Sequence, residues 1–306
     1  METNEKPVII GVSGGKGGTG KTFVATNIAV GLAREHKVLL IDTDVDNPNA
    51  SILLGKELKE PDQYLKCFFP KIDSEKCTSC GKCADNCRFH AFFHLKDKIP
   101  QLIEPLCKSC ELCMRICPEN AINPRYEVIG EQFFIQDGKL DLLVGRLMPG
   151  SAKTTLVIID LKKYAIEQLI EENEYEFVVI DTAPGAHCDV EHSLDDVDKV
   201  ICVTEPTPLG RHDLDRILQL CEFIKKDSSI VLNRSDMADY DEGIQEVATE
   251  HKSEIISRIP LSRDVMETYA RGIPIMAKRD KYGLDHPVIQ EFDKIISIIK
   301  EMRKNG

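Results

Sequence analysis

Eight of the twelve cysteines in this 306-residue chain fall into two short runs. The stretch "CTSCGKCADNC" carries Cys77, Cys80, Cys83 and Cys87, and "CKSCELCMRIC" carries Cys107, Cys110, Cys113 and Cys117. Residues 1–11, "METNEKPVIIG", show no basic region leading into a long apolar run, so no signal peptide is expected. Clustered thiols in such a chain read as metal ligands rather than disulfide partners. The second run continues into Pro118 and fits the iron–sulfur pattern C-x2-C-x2-C-x3-C-P. The first run keeps the spacing, with Arg88 in place of the proline. Zinc is the competing metal, but a four-cysteine zinc site usually spreads two C-x2–4-C pairs over a longer stretch. Here three cysteines lie within seven residues in each run. The spacing points to two [4Fe-4S] clusters, which are electron-transfer centres.

A second chemical signal opens the chain. In "GVSGGKGGTGKT", residues Gly15, Lys16, Gly17, Gly18, Thr19, Gly20, Lys21 and Thr22 fit G-x-x-x-x-G-K-S/T. Backbone N–H groups of such a loop surround phosphate oxygens, helped by the N-terminus of the following helix. Lys21 can reach the β- and γ-phosphates, and the Thr22 hydroxyl can ligate magnesium. The elements that must hold the loop are legible on either side. Val8 to Val12 is a strand-like apolar run, and Val24, Ile28 and Leu32 recur at helical spacing. Val38 to Ile41 reads as a strand leading to Asp42 and Asp44, and Phe177 to Ile180 as one leading to Asp181. Carboxylates at strand C-termini stand where ligands bind in open α/β sheets. Asp181 suits holding magnesium, directly or through water. Further strands are expected over Val200 to Val203 and up to Asn233. Helices are expected in "RHDLDRILQLCEFIKK", in "DEGIQEVATEHK" and after Pro287.

The loop "GGKGGTGKT" resembles the deviant Walker A loop of the MinD/Mrp/ParA and nitrogenase-iron-protein superfamily, whose mark is an extra lysine, here Lys16. The resemblance covers residues 7–66 and about 140–280. It implies a doubly wound, mostly parallel α/β P-loop NTPase fold of the SIMIBI type, binding ATP/ADP with Mg2+. It also implies slow, partner-stimulated ATP hydrolysis by a homodimer in which Lys16 reaches the phosphates of the other subunit. By the same resemblance Asp44 is the switch-I aspartate that positions water and responds to magnesium, and Asp42 supports the metal's outer shell. Pro184 and Gly185 belong to switch II, Asn233 contacts adenine, and Pro260 and Leu261 complete the base pocket. Lys16, Lys21, Asp44 and Asp181 are thus the candidate catalytic residues, and Thr22, Asp42, Asp44 and Asp181 the candidate magnesium set.

This pattern pauses after about residue 66 and resumes between residues 126 and 140. Residues 1–70 and 126–306 are assigned to the ATPase-like domain and 71–125 to an insert. The paired cysteine runs resemble an α+β bacterial-type two-cluster ferredoxin, in which the fourth cysteine of each run ligates the other cluster. Carried over, Cys77, Cys80, Cys83 and Cys117 hold one [4Fe-4S] cluster, and Cys107, Cys110, Cys113 and Cys87 hold the second. Such crossed wiring ties the two halves together and couples folding to metal assembly. Phe89, Phe92 and Phe93 are expected to shield the clusters, and His90 and His94 to be packing or surface residues. Cys67, Cys202 and Cys221 are expected in the core. Cys188 lies seven residues after Asp181, where nitrogenase iron protein has a bridging-cluster cysteine. The second cysteine such a bridge needs is absent from residues 118–187.

Formal net charge is -12. The insert, with nine Lys/Arg and seven Asp/Glu, contributes +2, and the remainder -14. That balance argues against a general nucleic-acid or anionic-membrane binder. No apolar run is long enough to span a membrane, and a cytoplasmic location is expected. A P-loop switch and two clusters in one chain suggest ATP-dependent electron transfer, or metallocentre assembly, on a redox or metallocentre partner protein. The alternative is a MinD/ParA-like positioning ATPase with structural clusters. A ligase-like amidation enzyme would need a glutaminase domain for which the chain has no room.

Overall fold

The runs Val38–Asp42 and Phe177–Asp181 are buried at every position, as strands covered on both faces must be. They form the middle of a sheet in the computed structural model, which describes residues 6–305. Residues 1–5, part of the stretch read for a leader, and residue 306 lie outside the described residues. The strands are β1 (Val8–Ser13), β2 (Val38–Asp42), β3 (Gln63–Ile72), β4 (Phe92–Phe93), β5 (Gln101–Leu102), β6 (Ile122–Ile135), β7 (Leu140–Leu147), β8 (Phe177–Asp181), β9 (Lys199–Thr204), β10 (Asp227–Asn233) and β11 (Glu254–Ile259). Nine of them make one sheet in the order β11-β10-β9-β1-β8-β2-β7-β6-β3. From β11 to β7 the pairing is parallel, whereas β6 runs antiparallel to both β7 and β3.

Helices cover both faces. On one, the Lys21–Ala33 and Pro287–Asn305 helices bury Phe23, Ile28, Phe292 and Ile295 against the sheet. On the other, Leu161, Val190, Leu214 and Ile244 from four helices fill a second apolar layer. This is the expected doubly wound, mostly parallel arrangement. The expected elements are found with small extensions. The helix expected from Arg211 begins three residues earlier, at Pro208, because Thr207 accepts a hydrogen bond from the Gly210 N–H at 2.9 Å and caps it. Cys67, Cys202 and Cys221 are buried, as expected, and Cys188 is exposed at the start of a helix.

The cysteine-rich segment sits at the end of a long antiparallel ribbon. Strands β3 and β6 pair from Gln63↔Gln132 to Ile72↔Ile122. Asp73 N–H then donates to the Ala121 carbonyl at 2.7 Å and closes the ribbon's tip. The boundaries at 70/71 and 125/126 therefore fall inside these two strands. Beyond the tip, residues 73–121 repeat themselves at an offset of 30. Helical turns Lys82–Asp85 and Leu112–Arg115 correspond, and left-handed residues recur in pairs: Ser79 and Ser109, Gly81 and Glu111, His90 and Asn120. Phe92 is 8% exposed and Phe93 52%. They form the two-residue β4, so successive side chains face opposite sides. Phe92 shields the interior and Phe93 does not.

One ionisable contact ties the outer helices together. His251 follows the Asp241–Glu250 helix, and its Nε2 and Nδ1 each lie 2.8 Å from a carboxylate oxygen of the Pro208–Phe223 helix, of Asp215 and Glu222. Burial opposes the imidazolium, but the two carboxylates outweigh it and hold the pKa above the ordinary histidine value. The stabilisation is thus fully present below the unfolded pKa and is lost as pH rises through the folded one. His251→Gln is expected to lower the melting temperature at pH 6 and to matter much less at pH 9. Equal losses at both pH values in thermal unfolding would contradict this.

Candidate functional site

The glycine-rich loop runs from the end of β1 into the Lys21–Ala33 helix. Gly20 has φ +97°, and a Cβ there would come within 2.3 Å of Asn233 Nδ2. That close approach lets Asn233, at the end of β10, donate to the Thr19 carbonyl at 2.8 Å. Lys21 is buried and its Nζ donates to the Lys16 carbonyl at 3.0 Å. Gly17, Gly18, Gly20, Lys21, Thr22, Asp44, Asn233, Pro260 and Leu261 all line one cleft of about 780 Å³ at the C-terminal edge of the sheet. Gly15 packs below the loop, where a Cβ would collide with Asp213. One N–H of Asn233 is thus spent on holding the loop, a contact that sequence reasoning did not foresee.

Asp42 and Asp181 are register neighbours on β2 and β8. The Asp42 carboxylate accepts three backbone N–H bonds, from Asp44 at 3.1 Å and from Asn49 and Ala50 at 2.9 Å. Burial nevertheless pushes its pKa up to about 7. Burial also pushes Asp44 up to about 6, against the pull of Lys21. Burial and the Asp42 charge raise Asp181, opposed by the Thr22 hydroxyl and Lys21. The same burial lowers the pKa of Lys21, while Asp181 and Asp44 raise it. Both carboxylate oxygens of Asp181 are buried without a well-formed hydrogen bond. Three carboxylates around one ammonium and a hydroxyl leave the site short of positive charge without converging on one point, which fits Mg2+ held in part through water.

The cysteines gather around two adjoining cavities. Cys77, Cys80, Cys83 and Cys117 line the first. Cys87, Cys107, Cys110 and Cys113 line the second, which Cys83, Phe89 and Phe92 also border. The fourth cysteine of each run therefore faces the other run's first three. Ala91 N–H donates to Cys87 Sγ at 3.4 Å, and Ala121 N–H to Cys117 Sγ at 3.3 Å. Burial pushes the Cys83 thiol up to about 11 and that of Cys113 to about 12, and a bound metal would take the place of the proton. Among the described residues no three His, Cys, Asp or Glu side chains converge at single-ion distance. A four-iron cube places its thiolates farther apart than the ligands of one ion. The donor set and the two cavities fit [4Fe-4S] clusters.

Sequence reasoning missed several cleft residues. His187, Asp189, Arg234 and Tyr269 line it, and none stands in a motif that could have signalled it. It also missed Lys153, whose buried ammonium donates to the Cys107 carbonyl from 46 residues away.

A mostly parallel sheet whose glycine loop shares one cleft with Asp44, two residues past the end of β2, has the arrangement of a P-loop nucleotide-binding protein. The chain belongs to the CobQ/CobB/MinD/ParA nucleotide-binding-domain family, which matches residues 10–275. It is 32% identical over 276 residues to an uncharacterized protein of Methanocaldococcus jannaschii, covering 89% of this chain and 93% of that one. It is 23% identical over 277 residues to the septum site-determining protein MinD of Thermotoga maritima, covering 87% and 80%. Among solved structures, MinD from Pyrococcus horikoshii complexed with Mg-ADP superposes with a TM-score of 0.58 at 18% identity, covering 97% of each chain. Among the described residues no helix is long and apolar enough to cross a membrane.

Proposed function

We propose that this chain is a dimeric ATP-driven switch that couples nucleotide state to two [4Fe-4S] clusters in the ribbon-borne insert. Its task is ATP-dependent electron transfer to a partner protein, or metallocentre assembly on one. The observation that carries the reading is the crossed gathering of eight cysteines around two cavities, joined by the β3–β6 ribbon to the sheet that bears the P-loop.

In this reading the loop amides and Lys21 hold the phosphates, and Thr22 and Asp181 hold Mg2+ with Asp42 in support. Asp44 orients the attacking water. Lys16 serves the second subunit, and Asn233, Pro260 and Leu261 border the base. Cys77, Cys80, Cys83 and Cys117 hold one cluster, and Cys107, Cys110, Cys113 and Cys87 the other. Each cluster supplies a one-electron store, while Phe92 and the ribbon limit its contact with water.

A second reading is a positioning ATPase of the MinD/ParA kind with structural clusters. Likeness to MinD along nearly the whole chain favours it. One set of anaerobic measurements separates the two. Purified protein is expected to carry about eight irons and eight acid-labile sulfides per chain. Linkage then requires ATP affinity to differ between oxidised and reduced protein in the redox reading. Identical affinity and turnover in both redox states, with turnover stimulated by anionic vesicles or DNA, would favour the positioning reading. Zinc without sulfide would remove the clusters from both.

A further inference from the structure

Three lysines are buried among the described residues, and two of them show how a buried ammonium is normally tolerated. Lys21 faces Asp181 and Asp44, and Lys162 pairs with Asp196 at 3.1 Å. Lys153 is only 6% exposed, yet no carboxylate among the described residues pairs with it. Its Nζ donates to the backbone carbonyls of Cys107 and, at 3.2 Å, Glu104, and lies 5.2 Å from the centroid of the Phe69 ring. Carbonyls and a ring face offset only part of the desolvation of a buried charge. The neighbour that would complete the balance is the Cys107 set. Four thiolates around a four-iron core leave a net negative charge.

The backbone that carries Lys153 is tied to the nucleotide cleft from two sides. Lys153 precedes the Thr154–Tyr164 helix. Thr154 Oγ1 donates to Asp46 Oδ2 at 3.4 Å, and Thr155 Oγ1 donates to Asp189 Oδ1. Asp46 and Asp189 both line the cleft, Asp46 just after Asp44 and Asp189 just after the Pro184–Gly185 turn. Residues 153–155 thus touch the loop after β2, the first turn of the Cys188–Leu194 helix and the cysteine-rich segment at once.

We propose that Lys153 is the positioning residue through which nucleotide state reaches the second cluster. It acts as the buried counter-charge of the Cys87/Cys107/Cys110/Cys113 set, and the Asp46–Thr154 and Asp189–Thr155 contacts set its position. This rests on the cluster reading above. A cation beside a cluster favours the reduced, more negative state, so displacement of the ammonium lowers the cluster's electron affinity.

Anaerobic redox titration of the iron-loaded full chain, with dithionite as reductant, tests it in three states: no nucleotide, Mg-ADP and a non-hydrolysable ATP analogue. Lys153→Met keeps the apolar stem and removes the charge. One of the two midpoint potentials is expected to fall by about tenfold in the reduction equilibrium, ~59 mV for a one-electron couple, with the other unmoved. Lys153→Arg is expected to restore it. Thr155→Val is expected to leave the nucleotide-free potentials at their wild-type values and to abolish their response to nucleotide. Unmoved potentials in Lys153→Met, or a full nucleotide response in Thr155→Val, overturn the proposal. Amide hydrogen exchange over residues 104–113, on protein as purified, reads the link without relying on potentials. The ATP analogue is expected to change protection in the wild type and not in Thr155→Val, and no change in the wild type overturns the link. A wild-type chain that never acquires iron and sulfide overturns the counter-charge role together with the cluster reading. The exchange result then stands alone for or against the mechanical link.

Discussion

Lys21→Ala is expected to weaken nucleotide binding by about 100-fold, roughly 2.8 kcal/mol, the loss that follows when charge-assisted bonds to phosphate are removed. Lys21 is buried at the mouth of the helix, and among the described residues only the Lys16 carbonyl accepts from its Nζ. Without the ammonium, Asp44 and Asp181 are left uncompensated beside the phosphate site. Lys16→Ala is expected to fail differently. Among the described residues no carboxylate of its own chain pairs with Lys16, which leaves the side chain available to a second subunit. Monomer affinity is expected to stay within about threefold, while ATP-driven dimerisation disappears. Turnover should fall by about 1,000-fold, the low end for a cation supplied in trans to a transferring phosphoryl group. Calorimetry, sedimentation and phosphate release at matched occupancy separate the two variants. Unchanged hydrolysis by Lys16→Ala would reject the trans role, and unchanged affinity in Lys21→Ala would reject the phosphate loop.

Cys117→Ser is expected to halve the iron, from about eight to about four per chain, and to remove the cluster of Cys77, Cys80 and Cys83 rather than that of its own run. The reason is spatial. Cys117 lines the cavity of the first run, and Cys87 that of the second. Cys87→Ser is expected to remove the complementary half. Each variant should keep the one midpoint potential that the other loses. Loss of the same potential in both variants, or loss confined to a variant's own run, would defeat the crossed assignment. Because each run contributes to both cavities, the double variant is expected to leave residues 73–121 without a metal staple and open to proteolysis.

The two chemical signals were legible because each is local. A phosphate loop needs glycines, a lysine and a hydroxyl within eight consecutive residues, and Gly15 to Thr22 supply them. A cluster run needs cysteines at fixed short spacings, and the chain supplies two. The parallel strands were legible for a related reason. Strands covered on both faces read as short apolar runs, and Val38–Asp42 and Phe177–Asp181 have no exposed position.

The antiparallel end of the sheet was not legible. Strand β6 carries an irregular mixture of buried and exposed positions over 14 residues, and a register shift between Leu65 and Lys66 breaks the alternation in β3. No single period marks such strands, so the ends of the insert were placed inside them. Glu111 shows the same limit at one residue. It holds the left-handed position that Gly81 holds in the first half of the insert, and only the folded backbone reveals it. By itself the sequence displayed the phosphate-loop motif and the two cysteine runs, since each is written in a short stretch of chain. The tertiary structure alone decided that Asn233 holds the loop at Thr19, and that Lys153 reaches Cys107 while its neighbours reach Asp46 and Asp189. Each of those contacts joins residues at least 30 positions apart, and a local pattern carries no information about which distant side chain folding will bring into reach.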